Sequence, residues 1–376
     1  MKRTFTRLCR VVLVCVTALL AVGTLNAQVS AYTFSQSTGT YTPITGGTVV
    51  GYSTVDDAVF NGLPIGFSFI YNNAAYTTWN VNGNGWISLG AATQSTTSPL
   101  SNTNTGPTTN NVISAAGADL VGGLRFTATT TNASNVLTVV SDVYAMAVGD
   151  TVTATNLPAG TTVTSIDTAN NTVTVSQAAT ATGTTQAVSV NNGEIRYQVL
   201  GSSPAQVLVV QFSNYRRYNQ NNVEINFQIK LYEATGQVEI QYGGVRQLAA
   251  NTTNNPLQIG LRGATSADYN NRLTTTSWTG TTAGTANSST VRLSSTVTPP
   301  LGHSYFWSAP SCVAPSNVTV SNVSSSGATV TFRKPLLSSP QNYEWRLVPG
   351  TNAATNGVLQ TGYTASANDT VVNIGS

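Results

Sequence analysis

Apolar and polar positions alternate along the chain from Gln28 onward, and the alternation comes in blocks. Across Leu63-Pro64-Ile65-Gly66-Phe67-Ser68-Phe69-Ile70-Tyr71, the side chains of Ile65, Phe67, Phe69 and Tyr71 fall on every second position, which puts them on one face of a strand. Asn72-Asn73 supplies a turn, residues 76–81 read as the next strand, and Asn82-Gly83-Asn84-Gly85 turns the chain into Trp86-Ile87-Ser88-Leu89. A polar loop spans 91–111. A second block begins at Gly193, where 194–200, 206–213, 223–233 and 237–243 read as four successive antiparallel strands. Val223, Ile225, Phe227, Ile229 and Leu231 make one face of the third. Glu224, Asn226, Gln228, Lys230 and Tyr232 make the other, which the pattern assigns to solvent. The turn Glu233-Ala234-Thr235-Gly236 sets Val238 opposite Leu231 and Glu239 opposite Lys230, joining opposite charges across the pair. Further strands are expected at 257–261, 290–294 and 303–307. Helical periodicity is sustained nowhere, so the predicted class is all-β, led by an N-terminal antiparallel β-sandwich, jelly-roll-like.

Residues 127–190 differ from their surroundings. Three Asp are their only charged residues, aromatics are almost absent, and Thr and Val alternate at 137–140, 150–155, 161–167 and 172–176, with Asn170-Asn171 as a hairpin turn. This stretch reads as a small β module inserted into the sandwich domain 28–308, whose own parts are 31–126 and 191–308; a locally expanded Thr-rich loop is the alternative. Ala309-Pro310 and Ala314-Pro315 mark a linker, 309–316, before a last segment, 317–376. At the other end, a basic stretch 1–10, an apolar run 11–22 broken only by Thr17, and Gly23-Thr24-Leu25-Asn26-Ala27 form the tripartite pattern of a secretory signal peptide cut after Ala27. About twelve apolar residues are too few to span a bilayer core of ~30 Å, and no later run comes close, so no transmembrane segment is expected in the mature chain.

The charge count follows from that leader. The chain of 376 residues has 16 Lys and Arg against 13 Asp and Glu, net +3, but Lys2, Arg3, Arg7 and Arg10 lie in the leader. Without them, 12 basic residues face 13 acidic ones, net −1. The electrostatic case for nucleic acid or anionic membrane is lost with the leader. Charged residues are only 8% of the chain, against about 25% in ordinary domains. Recognition by such a surface works through hydrogen bonds and aromatic faces, and the expected partner is an extracellular glycan or protein.

Catalytic constellations are thin. A nucleophile–base system would need His303, the chain's sole histidine, which lies in a closing strand. Glu224 and Glu239 share a face on neighbouring strands, as a glycosidase pair would, but the register gives Glu239 to Lys230 and puts Glu224 several rungs away. No Gly-rich loop opens a helix, so nucleotide binding is not expected. Asp56-Asp57 offers oxygen ligands for a structural Ca²⁺, yet adjacent carboxylates on a strand point opposite ways, and no cofactor is expected. Ser213-Asn214-Tyr215-Arg216-Arg217-Tyr218-Asn219 reads as a turn after a core strand, whose Tyr215, Arg216, Arg217 and Tyr218 form either a recognition loop or a rim that covers the sandwich edge.

Several segments resemble known modules. Residues 31–126 plus 191–308 resemble the N-terminal β-sandwich of secreted Bacteroidetes-type modular surface proteins, through Tyr32-Thr33-Phe34, Ile65-Gly66-Phe67-Ser68-Phe69, Asn84-Gly85-Trp86-Ile87-Ser88-Leu89-Gly90, Ile259-Gly260-Leu261-Arg262-Gly263 and Pro300-Leu301-Gly302-His303-Ser304-Tyr305-Phe306-Trp307. The insert, with Val148-Gly149-Asp150-Thr151-Val152 and Leu157-Pro158-Ala159-Gly160-Thr161, resembles short β units of phage-tail and bacterial surface proteins. The last segment resembles the first part of a fibronectin type III domain: Val318-Thr319-Val320, Ala328-Thr329-Val330-Thr331-Phe332, Tyr343-Glu344-Trp345-Arg346-Leu347 and Thr370-Val371-Val372-Asn373-Ile374 fit its strands. About seven strands make such a sandwich, so the resemblance implies that the 376 residues are a fragment. It also implies that Cys312, the cysteine left after Cys9 and Cys15 depart with the leader, pairs with a Cys outside this chain; a buried free thiol is the alternative. Asp150-Thr151-Val152, Asp167-Thr168-Ala169 and Asp369-Thr370-Val371 resemble Bacteroidetes O-glycosylation acceptors, which would modify Thr151, Thr168 and Thr370. The resemblances together imply an exported, non-enzymatic cell-surface or secreted protein for adhesion, recognition or spacing, attached through a region beyond residue 376. The alternative is the non-catalytic front of a secreted peptidase or glycoside hydrolase.

Overall fold

The computed structural model describes residues 28–375 outside 54, 93–94, 103–109, 142, 144–145, 191–192, 219–222, 248–253, 311–315, 325–326, 335, 337–343, 348–359 and 365–370. The leader 1–27, Cys312, Tyr343 and Thr370 lie outside the described residues. The protein is all-β, and it divides into two units, Val29–Ala309 without the turn 72–74 and the C-terminal residues 310–376.

Two eight-stranded antiparallel sheets build the larger unit. Its strands begin with β1 (Thr33–Thr38), β2 (Thr48–Ser53), β3 (Val59–Tyr71), β4 (Ala74–Asn82), β5 (Trp86–Leu89), β6 (Val112–Gly117) and β7 (Leu120–Gly122). An intervening module holds β8 (Leu124–Thr130), β9 (Val136–Leu137), β10 (Val152–Thr153), β11 (Val163–Asp167), β12 (Thr172–Val175) and β13 (Gly183–Val190). The unit then completes with β14 (Gly193–Leu200), β15 (Val207–Arg217), β16 (Val223–Tyr232), β17 (Val238–Gln247), β18 (Asn255–Arg262), β19 (Tyr269–Leu273), β20 (Thr282–Ala283), β21 (Val291–Leu293) and β22 (His303–Ser308). The first sheet runs β1-β22-β17-β16-β15-β14-β2, with β7 beside the end of β15; the second runs β20-β19-β18-β6-β5-β4-β3, with β21 beside β18.

One core lies between these sheets, and the period-2 pattern places its members. Ile65, Phe67, Phe69 and Tyr71 are all buried in it, as are Val223, Ile225, Phe227, Ile229 and Leu231. Aromatic rings fill its centre: Phe212 stacks on Phe227 at 4.6 Å, and Tyr242 meets Trp278 edge-on at 4.8 Å. Tyr242 and Trp307 have their polar tips satisfied, Tyr242 Oη donating to Ala115 O at 2.7 Å and Trp307 Nε1 to Asn270 Oδ1 at 3.0 Å. The β16–β17 register sets Leu231 against Val238 and Lys230 against Glu239.

Residues 124–190 hold a second core. β8 and β13 pair from Leu124–Val190 to Thr130–Gly183, β10 adds to β13, and β11-β12-β9 form another small sheet. Leu137, Val163, Val173, Val175 and Val188 are buried there with Phe126, the cluster's one aromatic among the described residues. The C-terminal unit contains a sheet β23-β24-β27 (Ser316–Ser321, Gly327–Arg333, Val371–Gly375) and a pair β25–β26 (Glu344–Leu347, Gln360–Tyr363).

Candidate functional site

The polar face of β15–β17, expected in solvent, is largely roofed. Gln211, Gln228 and Gln241 lie in one cross-strand row, and all three are buried. Residues 40–46 cross over them as an irregular strap. Pro43 has no N–H to give to a ladder, and the glutamine side chains supply the partners that a neighbouring strand would have supplied. Gln211 Oε1 accepts from Ile44 N at 2.8 Å, Gln228 Nε2 donates to Thr42 O at 2.9 Å, and Gln241 Nε2 donates to Thr40 O at 3.3 Å. Arg196 Nη1 holds the far end through Thr45 O at 2.9 Å.

Where the strap ends, the face opens into a cleft of about 330 Å³. Thr40, Thr42 and Ile44 of the strap form one wall; Leu200 at the end of β14 and Gly201 and Ala205 of the β14–β15 loop form the other, with Val207 and Val209 beside them. Gln228, Lys230, Tyr232 and Gln241 form the floor. Glu233 fixes the loop, accepting from Ser203 Oγ at 2.8 Å and Gln206 N at 3.0 Å. Glu239 lies beneath the floor, where it accepts from Lys230 Nζ at 3.3 Å, Ser304 Oγ at 2.8 Å and the Tyr232 hydroxyl. Lys230 Nζ also donates to Gln241 Oε1 at 2.7 Å. Burial, followed by the bond to Glu239, holds the Tyr232 phenol well above its usual pKa, so it stays a donor. The floor therefore carries no net charge: it presents amides, a tyrosine ring and one matched ion pair between apolar walls.

Glu224 and Glu239 do share a face, but both are buried and under different cover. Glu224 lies between Arg216 and Arg246 in its row, near Asp150 of the inserted module. His303, on β22, is also buried; its Nδ1 lies 3.4 Å from Thr38 Oγ1, its ring packs edge-on against Tyr305, and burial pushes its pKa down.

The segment around Tyr215 is strand, where a turn was expected. β15 continues to Arg217, and a bulge between Phe212 and Tyr215, with Asn214 at φ 59°, changes the parity of the alternation. Tyr215 therefore points into the core beside Phe212, and Arg216 is buried with Nε donating to Gly123 O at 2.8 Å. Arg217 is half-buried and only Tyr218 is exposed. Tyr218 N donates to Asp119 O at 2.9 Å, and Asp119 brings this segment to the other expected site. Asp56 bridges Val121 and Asp57 sits at φ 51°, so the two carboxylates do not diverge: Asp56, Asp57 and Asp119 each place an oxygen within 4.8 Å of the others. Asn84 Nδ2 donates to Asp57 Oδ1 at 2.8 Å, while Asn84 Oδ1 accepts from Leu120 N. Asp119 carried no signal in the sequence. Thr151 and Thr168 are exposed, Thr168 in the β11–β12 turn where Asp167 Oδ1 accepts from Ala169 N at 3.0 Å.

These features define an all-β sandwich whose outer polar face is covered in part by its own segments and opens into a cleft. The NIDO-related family model matches residues 31–141 and 154–309, so the chain belongs to the NIDO-related family, an extracellular-type domain. No curated protein and no solved structure matches the chain. Among the described residues, no helix is long and apolar enough to cross a membrane.

Proposed function

We propose that the protein is an exported, non-enzymatic modular protein of the cell surface or secreted space, and that its NIDO-related domain recognises an extracellular ligand in the cleft over β15–β17. The cleft itself carries this reading. Its volume of about 330 Å³ lies within the range of small-ligand sites, roughly 300–1,000 Å³. Its neutral amide-and-ring floor between Ile44, Leu200 and Val207 favours a glycan over a protein epitope, since hydroxyls and an apolar ring face match those groups and charge is not needed. The C-terminal strands serve in this reading as part of a fibronectin-like spacer, and Thr151 and Thr168 as glycan acceptors.

The test is a screen of the purified chain on neutral glycans and matrix proteins, with Ala205→Trp as control. Ala205 is exposed on the cleft wall, so the indole fills the cleft without entering the core. Binding is expected in the wild type and lost in Ala205→Trp at unchanged Tm. The absence of binding at high micromolar concentration, or binding that survives Ala205→Trp, overturns the reading.

A further inference from the structure

The inserted module meets the sandwich through four charged side chains outside the cleft. Arg216 on β15, Glu224 on β16 and Arg246 on β17 form one cross-strand row. Asp150 reaches that row from the turn before β10, and Arg246 grips it with both nitrogens, Nη1 to Oδ1 at 2.9 Å and Nη2 to Oδ2. The same Asp150 shapes its own turn, its Oδ2 accepting from Ala147 N at 2.7 Å and its backbone N donating to Ala147 O at 3.1 Å. Arg246 is thus a bidentate link between two cores. This turn falls within 142–153, the stretch that the family match leaves out.

Glu224 lies in the row under this link, only 3% exposed, and its Oε2 has no hydrogen-bond partner. A buried carboxylate with an unsatisfied oxygen is costly when ionised and tolerable when protonated. The charged groups that face it are Arg246 and Arg216 from the flanking strands and Asp150 from the insert. Once ionised, Glu224 repels Asp150 and draws on the Arg246 guanidinium that Asp150 already holds.

We propose that Arg216, Glu224, Arg246 and Asp150 form a proton-operated clasp that fastens the inserted module to the sandwich, closed while Glu224 is protonated and loosened when it ionises. The working range follows from the balance of forces on the carboxyl. Burial, the largest influence, pushes its pKa from the ordinary 4.5 up to about 7; Arg246 pulls it down, Asp150 pushes it up, and Arg216 pulls it down. The stabilisation from a protonated Glu224 is complete below 4.5 and is lost as pH rises through about 7.

Hydrogen exchange on the full chain at pH 6 and pH 8, corrected for intrinsic rates, tests the clasp. The amides of Gly149, Val152 and Val163, which close the Asp150 turn, are expected to lose protection at the higher pH by about tenfold, the factor carried by one pKa unit of linkage. The middle of β16, at Phe227–Ile229, is expected to keep its protection. Glu224→Gln is expected to remove the pH dependence, and Asp150→Asn to leave the turn weakly protected at both pH values. Protection that does not change with pH in the wild type, or a dependence that survives Glu224→Gln, overturns the proposal. Should Glu224→Gln not fold, carboxyl-carbon NMR of the wild type decides: a Glu224 midpoint near 7 supports the clasp and one near 4.5 overturns it.

Discussion

The sandwich and the inserted module are both antiparallel β, but they are stabilised differently. The sandwich core contains Trp79, Trp278, Trp307, Phe212, Phe227 and Tyr242, interlocked ring against ring. Among the described residues, the module core has Phe126 as its aromatic and is otherwise aliphatic apart from Met146, with side chains such as Leu137, Val173 and Val188. Each large ring removes 150–250 Å² from water, far more than a valine does. The comparison teaches that strand pairing alone does not determine local stability. The Asp150–Arg246 pair ties the module's turn to the sandwich from outside that aliphatic core.

The largest effect expected from breaking this contrast is in the sandwich. Trp278→Ala removes a fully buried ring that packs on Tyr242 and Tyr305, and it should cost about 3–5 kcal/mol. Differential scanning calorimetry should show the main transition falling. Leu137→Ala, at the base of the module core, should cost about 2 kcal/mol, the low end for Leu→Ala because a small cluster collapses easily around the void. Exchange should rise across 136–175 while the main transition stays in place; a fall in both would mean one cooperative unit.

His303→Gln should act more weakly and only in acid. Burial lowers the His303 pKa, so the neutral ring is favoured in the fold; its stabilisation is present above the unfolded value near 6.5 and is lost as pH falls. The variant should flatten the Tm decline below about pH 6.5, the opposite sign to Glu224. The smallest change is expected for Glu194→Gln. Its pair with Arg196, at 2.6 Å, is partly exposed on both sides, and chemical denaturation should register less than about 1 kcal/mol.

Much of the sandwich was legible because a period of two writes the core face directly into the chain. Phe67 and Phe227 were placed by spacing alone, and the turn at Gly236, with φ 63°, set the register of Lys230 on Glu239. The covered face was not legible. Alternation marks a side chain as polar without saying what lies over it, and Gln228 is capped by Thr42, 186 residues away in sequence. The stretch after Ser213 reads as a turn because the alternation stops there; a bulge at Asn214 breaks the pattern while β15 itself runs on to Arg217. Asp119 joined Asp56 and Asp57 only through the bridge of Asp56 to Val121, a pairing with no sequence pattern of its own.

The strap over the glutamine row has a consequence for variation. Gln211, Gln228 and Gln241 hold main-chain atoms of Ile44, Thr42 and Thr40, never their side chains. Any residue that tolerates the same backbone path satisfies them. The three glutamines act as a fixed frame, and the exposed positions 40 and 42 are an interchangeable lining mounted on it, whereas Ile44 is buried; part of one cleft wall can therefore be rewritten by substitution with the fold left intact.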